Sequence, residues 1–437
     1  MKQKLFFTLA ISGLCLSATA QKVKFTEYDL DNGLHVILHQ DKTAPVVAVS
    51  VMYHVGSKDE DPQRTGFAHF FEHLLFEGSD NMKRGEFMKI VSSNGGQNNA
   101  NTSQDRTFYY ELFPSNQLEL GMWLESERML HPKIDEVGVK TQNEVVKEEK
   151  RLRIDNAPYG MFAANIFKKL YDGTPYEWAP IGSMEHLDAA KLSEFLAFFK
   201  KYYAPNNAVL TIAGDLDIEK TKGLVKKYFD EVPKGAPVVK AAYTLKPITK
   251  QLIDTAYDAN IQIPAIMSAY RVPGMTSRDT KALEMVTSVL TGGASSRLRV
   301  KLVDEKKTAL EVGALNYTLE DAGAYITYAL PNNNTPITDL LKDIDAEVLR
   351  MQTDLISETE FKKLQNQFEN NFVTANSKML GVAENLANGY TFHNKNTNEI
   401  NEELDAYKSI TREEIRDVAR KYLNKDQRVV LYYLPKK

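Results

Sequence analysis

The chain has a single cysteine in 437 residues, Cys15, so no disulfide can form within it. Dense lysine–arginine runs are also missing. Fifty-four basic residues against 58 acidic ones leave a formal net charge of −4, which gives a nucleic-acid partner no electrostatic support. No G-x-G-x-x-G or P-loop pattern stands at a strand–helix junction, so nothing points to a nucleotide or flavin. A bilayer span needs about 20 apolar residues, and the one candidate run, at the N-terminus, is short for that. What is present is ordinary globular usage, 43% hydrophobic and 26% charged, which excludes a mainly disordered or collagenous chain. At roughly 150 residues per domain the length favours two or three domains, each large enough to bury a core without staples.

Residues 1–20 read MKQKLFFTLAISGLCLSATA. Lys2 and Lys4 precede an apolar run that ends in Ala18-Thr19-Ala20, the pattern of a secretory signal peptide. Cleavage before Gln21 would remove Cys15 and two lysines, taking the net charge from −4 to −6. The expectation is an exported, periplasmic protein with no stable membrane anchor, held together by packing alone.

Strand patterns are expected near residues 22–28, 34–39 and 46–53, and helical ones over 66–76, 85–92, 117–129 and 137–153. Residues 99–112 (NANTSQDRTFYYEL) read as one extended stretch between Gly95-Gly96 and Pro114. A loop holding Pro158, Gly160, Pro175 and Pro180 precedes a helix over 190–203 and a strand over 208–213. Strands and helices come in blocks, so the class is α+β. Pro233, Gly235, Pro237 and Pro247 mark a linker. Beyond it the order recurs, with a strand at 262–270, a helix at 280–290 and strands near 310–330. Tyr202 precedes one terminal strand and Tyr422 another, 220 residues later. The reading is a duplication: a signal over 1–20, an N-terminal domain over 21–235, a linker over 236–251 and a C-terminal domain over 252–437.

His69-Phe70-Phe71-Glu72-His73 carries the chemistry. On a helix His69 and His73 lie one turn apart on one face, a spacing at which two imidazoles can bind one Zn²⁺. Glu72 flanks that face as a base outside the ligand set, in the inverted H-x-x-E-H order. A third ligand is needed. In the helix around Glu144-Val145-Val146-Lys147-Glu148-Glu149, Glu149 falls on the face marked by Val145 and Val146, whereas Glu148 points away. A carboxylate amid an apolar face is costly unless paired or bound to metal, which selects Glu149.

This pattern resembles the pitrilysin/insulinase family of zinc peptidases. The likeness extends to Phe76-Glu77-Gly78-Ser79, Asn99-Ala100-Asn101-Thr102 and Tyr203-Ala204-Pro205-Asn206-Asn207, covering nearly the whole mature chain. It implies the half-size branch that includes mitochondrial processing peptidase subunits and bacterial relatives. There, domains of about 200 residues with mixed, mostly antiparallel sheets pack with helices, and two chains pair into a clam-shell chamber. It further implies one Zn²⁺ per chain, Glu72 as general base, and peptide binding by strand addition at Asn99, Ala100, Asn101 and Thr102. Two positions depart from the family pattern. Gln142 stands where a glutamate usually supports the ligands. Asp304 and Glu311 stand where an arginine and a tyrosine, seven apart, usually polarise the substrate. A heterodimer with a paralogous subunit supplying that Arg/Tyr pair is therefore expected. The rival readings are a non-catalytic or weakly active chamber subunit, and a hydrolase of small esters or amides.

Overall fold

A computed structural model describes residues 22–332 and 335–436; the expected signal segment lies outside them. The strands are β1 (Thr26–Asp29), β2 (His35–Gln40), β3 (Val46–Tyr53), β4 (Gln97–Thr102), β5 (Thr107–Pro114), β6 (Ala208–Gly214), β7 (Leu252–Asp258), β8 (Ala265–Pro273), β9 (Ala309–Tyr317), β10 (Ala322–Pro331) and β11 (Arg428–Pro435). They form two sheets, ordered β1-β2-β6-β3-β5-β4 and β7-β11-β8-β10-β9. In the first, β2 runs parallel to β6 and every other pairing is antiparallel. The second repeats this, with β7 parallel to β11 and the rest antiparallel. The α+β duplication expected from the sequence is therefore present as two sheets of one topology apart from β1, which has no counterpart, with β9 in the place of β4.

The expected single extended stretch over 99–112 is instead two strands, β4 and β5, paired antiparallel about a turn at Ser103–Arg106. Ser103 is the reason: its hydroxyl accepts from the backbone N–H groups of Asp105 and Arg106, a local side-chain turn that competes with extension. The proline-rich loop after residue 158 also differs, because it contains the helix Phe162–Leu170.

That helix explains how the halves join. One face of the first sheet packs on helices of its own half, among them Phe67–Leu74, Leu118–Leu130, Leu192–Tyr202 and Ile218–Phe229. The other face, with Ile37, Met52, Phe108 and Val209, packs on Val382, Leu386 and Ala387 of the helix Met379–Phe392 from the C-terminal half. The second sheet reciprocates. Its far face, with Met267, Ala269, Ile326 and Leu431, packs on Ile166, Phe167 and Leu170 of the helix Phe162–Leu170 from the N-terminal half. Each half lends one helix to the other, so both sheets are buried on both faces. The near-continuous apolar run VVAVSVMY in β3 is the sequence mark of that two-sided burial.

A polar latch closes the same junction. Lys58, 7% exposed, lies 2.8 Å from Asp105 and 3.2 Å from Asp321, and also pairs with Glu320. His54 Nε2 meets Glu320 at 2.9 Å. Burial works against ionising Glu320, but His54 and Lys58 outweigh it and hold the carboxyl at about 2. Burial likewise opposes the Lys58 charge, and Asp105 and Glu320 override it to raise its pKa. Lys58→Met would strand the buried Asp105 carboxylate beside the partly buried Glu320, at a cost of about 3–5 kcal/mol. Because the Glu320 pKa is depressed on folding, its contribution is full above its unfolded value and is lost as pH falls towards about 2. Thermal melts from pH 7 to pH 2 should therefore show a lower melting temperature for Lys58→Met at pH 7 and a gap that closes in acid. Equal melts at pH 7 would show that the latch does not hold the halves.

Candidate metal centre

The helix Phe67–Leu74 divides its residues by face. Phe67, Phe70, Phe71 and Leu74, at helical spacing, sink into the core, where Phe67 and Phe71 meet Phe195 and Phe198. His69, Glu72 and His73 remain on the opposite side. The helix N-terminus is pinned by Glu60, whose carboxylate accepts from the backbone N–H groups of Gly66 and Ala68 at 2.9 and 2.8 Å. Gly66 itself adopts φ +100°, and a Cβ there would press on the Ile181 carbonyl, so the entry turn requires glycine. Tyr109 adds a hydrogen bond from its hydroxyl to the Phe71 carbonyl at 2.8 Å. The ligand-bearing turn is thus fixed from below and from its start.

The helix Glu136–Lys150, capped by Asp135 on the Gly138 N–H, packs beside it and presents Glu149. Of the two valines that marked its inner face, Val146 is fully buried and Val145 is 43% exposed. Glu149 keeps 16% of its side chain exposed, while Glu148 is 56% exposed and paired with Arg151. Glu149 Oε2 lies 3.0 Å from His73 Nε2 and 3.5 Å from His69 Nε2. Ligand atoms of all three residues lie within 4.8 Å of one another, the one such cluster among the described residues. Glu149 Oε2 and His69 Nδ1 are buried with no aligned hydrogen-bond partner. Two imidazoles and a carboxylate converging in this way are a donor set for a divalent cation, and N/O ligands of this kind suit zinc.

The electrostatics agree. Burial, with His73 adding to it against Glu149, lowers His69 to about 4, so its ring is neutral and able to ligate at pH 7. His73 is the main influence holding the Glu149 carboxyl below the ordinary range, which keeps it ionised. Burial raises the Glu72 pKa, opposed by the Thr102 hydroxyl and by His73. A carboxylate made more basic in this way is a better proton acceptor.

The substrate-strand candidates fall on β4, an edge strand paired only with β5. Asn99, Ala100, Asn101 and Thr102 face Tyr110, Tyr109, Phe108 and Thr107, and the backbone on the other side has no strand partner. β4 packs against the helix Phe67–Leu74, so the free edge runs past the candidate metal cluster. Gln142 donates from Nε2 to Glu77 Oε1 at 2.6 Å, and its Oε1 is buried without a partner. Asp304 is exposed in the π-turn Arg299–Glu305, and Glu311 on β9 accepts from the Tyr328 hydroxyl at 2.8 Å. Two contributors escaped the sequence reading. Glu60 carries no local signal, because its role depends on a turn that brings it back to the helix start. Arg153 was absorbed into the end of a long expected helix, whereas the α-helix stops at Lys150 and a π-turn, Arg151–Asp155, follows.

Two family models match the chain: "Insulinase (Peptidase family M16)" over residues 35–177, and "Peptidase M16 inactive domain" over residues 190–368. The zinc protease PqqE of Helicobacter pylori is 32% identical over 373 residues, covering 84% of this chain and 83% of that protein. YmxG of Bacillus subtilis, described as an uncharacterized zinc protease, is 25% identical, covering 92% of this chain and 97% of its own length. Among solved structures, a protease from Helicobacter pylori superposes with a TM-score of 0.89 at 28% identity, covering 94% of this chain and 99% of that one. The first half of the periplasmic protease PqqL from Escherichia coli shares the fold, with a TM-score of 0.78 at 19% identity over 95% of this chain and 92% of that one.

If these three residues are the ligands, dialysed His73→Ala and Glu149→Gln proteins should fall from near-stoichiometric zinc to almost none by elemental analysis. Full zinc in Glu149→Gln would move the third ligand elsewhere, with Glu148 the next to test.

Proposed function

The chain belongs to the insulinase family of peptidases, M16, and from that premise we propose that it is a zinc-dependent endopeptidase acting on unfolded or short peptides. The observation that carries this is the convergence of His69, His73 and Glu149 beside Glu72 at the open edge of β4. All of these residues lie within the segment matching the insulinase model; the match termed inactive begins beyond them, at residue 190.

One Zn²⁺ per chain, held by His69, His73 and Glu149, would supply Lewis acidity for water and carbonyl. An extended peptide pairs its backbone with Asn99, Ala100, Asn101 and Thr102, which makes binding tolerant of sequence and demands an unfolded segment. Glu72, raised in basicity by burial, takes the proton of the attacking water and passes it to the leaving amine. Gln142 braces Glu77, four residues beyond His73, and so supports the ligand helix without adding charge. In this reading residues 21–235 hold the catalytic domain and 252–437 close the chamber. Export by the signal over 1–20 would place it in the periplasm, in keeping with the periplasmic relative; no helix among the described residues is long and apolar enough to cross a membrane.

Asp304 and Glu311 bear on the partner. As carboxylates they bring acceptors and negative charge where a developing oxyanion needs donors. We infer that a non-identical subunit with Arg and Tyr at the matching positions completes the chamber; without it this chain would be a weakly active binding subunit.

Two measurements test the reading. Zinc-loaded protein should cut an unfolded polypeptide, stop in chelator, and lose about 10²–10⁴-fold in Glu72→Gln while zinc content is kept. Wild-type turnover in Glu72→Gln would sink the mechanism. Mixing with a paralogue that carries Arg and Tyr should raise hydrolysis and give a one-to-one complex by mass; full activity from this chain alone would remove the need for it.

A further inference from the structure

Four cations crowd the end of the Glu149 helix, and three of them are neutralised by groups outside the metal cluster. Lys147 contacts Glu144 at 3.2 Å and Asp188 at 2.5 Å, Lys150 contacts Asp155 at 2.7 Å, and Arg151 contacts Glu148 at 3.1 Å. Arg153 differs. Its Nη1 lies 2.8 Å from Glu149 Oε1, while the other oxygen of that carboxylate faces both imidazoles. The arginine side chain is 77% exposed, and it has no second ion-pair partner among the described residues. The π-turn Arg151–Asp155 that follows the α-helix carries it.

A guanidinium that only braced a ligand would be expected to lie covered against it. Here most of the fork remains open to solvent beside the cluster, and its charge is felt by His69, Glu72 and Glu149 alike. Loading a divalent cation changes the balance. Glu149 then shares its single negative charge between the cation and Arg153, and with Glu72 ionised the assembled site is left net positive. The two carboxylates carried beside it, Glu148 and Asp155, are committed to Arg151 and Lys150 and do not offset that charge. A planar fork with unused donors matches a carboxylate in shape as well as sign.

We propose that Arg153 is a specificity-determining residue that binds an acidic side chain of the peptide, an aspartate or glutamate close to the scissile bond. The proposal rests on the peptidase reading above. It concerns substrate choice, so equilibrium binding reads it without turnover.

The test uses zinc-loaded full-length Glu72→Gln protein and fluorescent peptides of one sequence, with Glu, Gln or Lys scanned through positions flanking the bond that the wild type cuts. At one such position the Glu peptide should bind about five-fold tighter than the Gln peptide, the scale of a partly exposed ion pair, and the Lys peptide more weakly still. Adding Arg153→Gln should flatten that ratio with zinc content unchanged, and Arg153→Glu should invert it towards Lys. Should Arg153→Glu lose zinc, Arg153→Gln decides alone. An unchanged Glu-to-Gln ratio in Arg153→Gln overturns the proposal. Loss of zinc in Arg153→Gln also overturns it, by reducing the residue to a brace for Glu149. If the wild type cuts no peptide and Glu72→Gln binds none, the peptidase reading itself has failed, and this proposal with it.

Discussion

Neither sheet can be covered by its own half of the chain, and the exchange of two helices that solves this sets everything else. Val382, Leu386, Ile166 and Leu170 are each at most 1% exposed, and each lies against the other half's sheet. Burying a large apolar side chain contributes about 1.5–3 kcal/mol, so four of them amount to roughly the whole net stability of an ordinary domain. The halves are therefore not free to drift apart. With both faces of the first sheet occupied, an extended peptide could join it only at an edge, and the edge beside the candidate metal cluster is β4.

The cluster depends on that rigidity. Glu149 Oε2 stands 3.0 and 3.5 Å from two imidazole nitrogens with its lone pairs buried and without an aligned partner, a convergence of donor atoms that a cation among the three would satisfy. The fold holds it by spending other interactions nearby. Glu60 fixes the helix start, the phenylalanine face fixes its roll, and Tyr109 fixes the Phe71 carbonyl at the level of the ligands. Preorganisation of this kind means that these side chains would need little rearrangement to hold a metal.

How much of this was legible in the sequence follows from the range of the interactions. The face-splitting of His69, Glu72 and His73 from the four apolar residues is a local periodicity, and it could be read directly. Glu149 was legible because a carboxylate on an apolar face needs a reason, although Val145 turned out exposed and Val146 alone marked that face. The turn at Ser103 was hidden by an otherwise strand-like composition. The helix Phe162–Leu170 was hidden because its apolar residues are satisfied by a sheet about a hundred residues further on, and proline-rich flanks made the segment look like a loop. The latch around Lys58 joins residues more than 260 positions apart and leaves no mark in local sequence.

The internal repeat isolates what the chemistry requires beyond the fold. After β3 the N-terminal half places the helix Phe67–Leu74; after β8 the C-terminal half places the helix Arg278–Thr291, RDTKALEMVTSVLT, in the corresponding order. The second helix buries Leu283, Met285, Val286, Val289 and Leu290 much as the first buries its phenylalanines, yet it contains no histidine. Both sheets also offer an edge strand at the same place, β4 and β9. The scaffold is thus present twice and the candidate ligand cluster once among the described residues, so fold alone does not account for it. What distinguishes the N-terminal copy is two histidines and two glutamates, the candidate ligands and base, on faces that packing leaves free. In that copy the outward face of the helix was available for chemistry because the inward face alone sufficed to hold it.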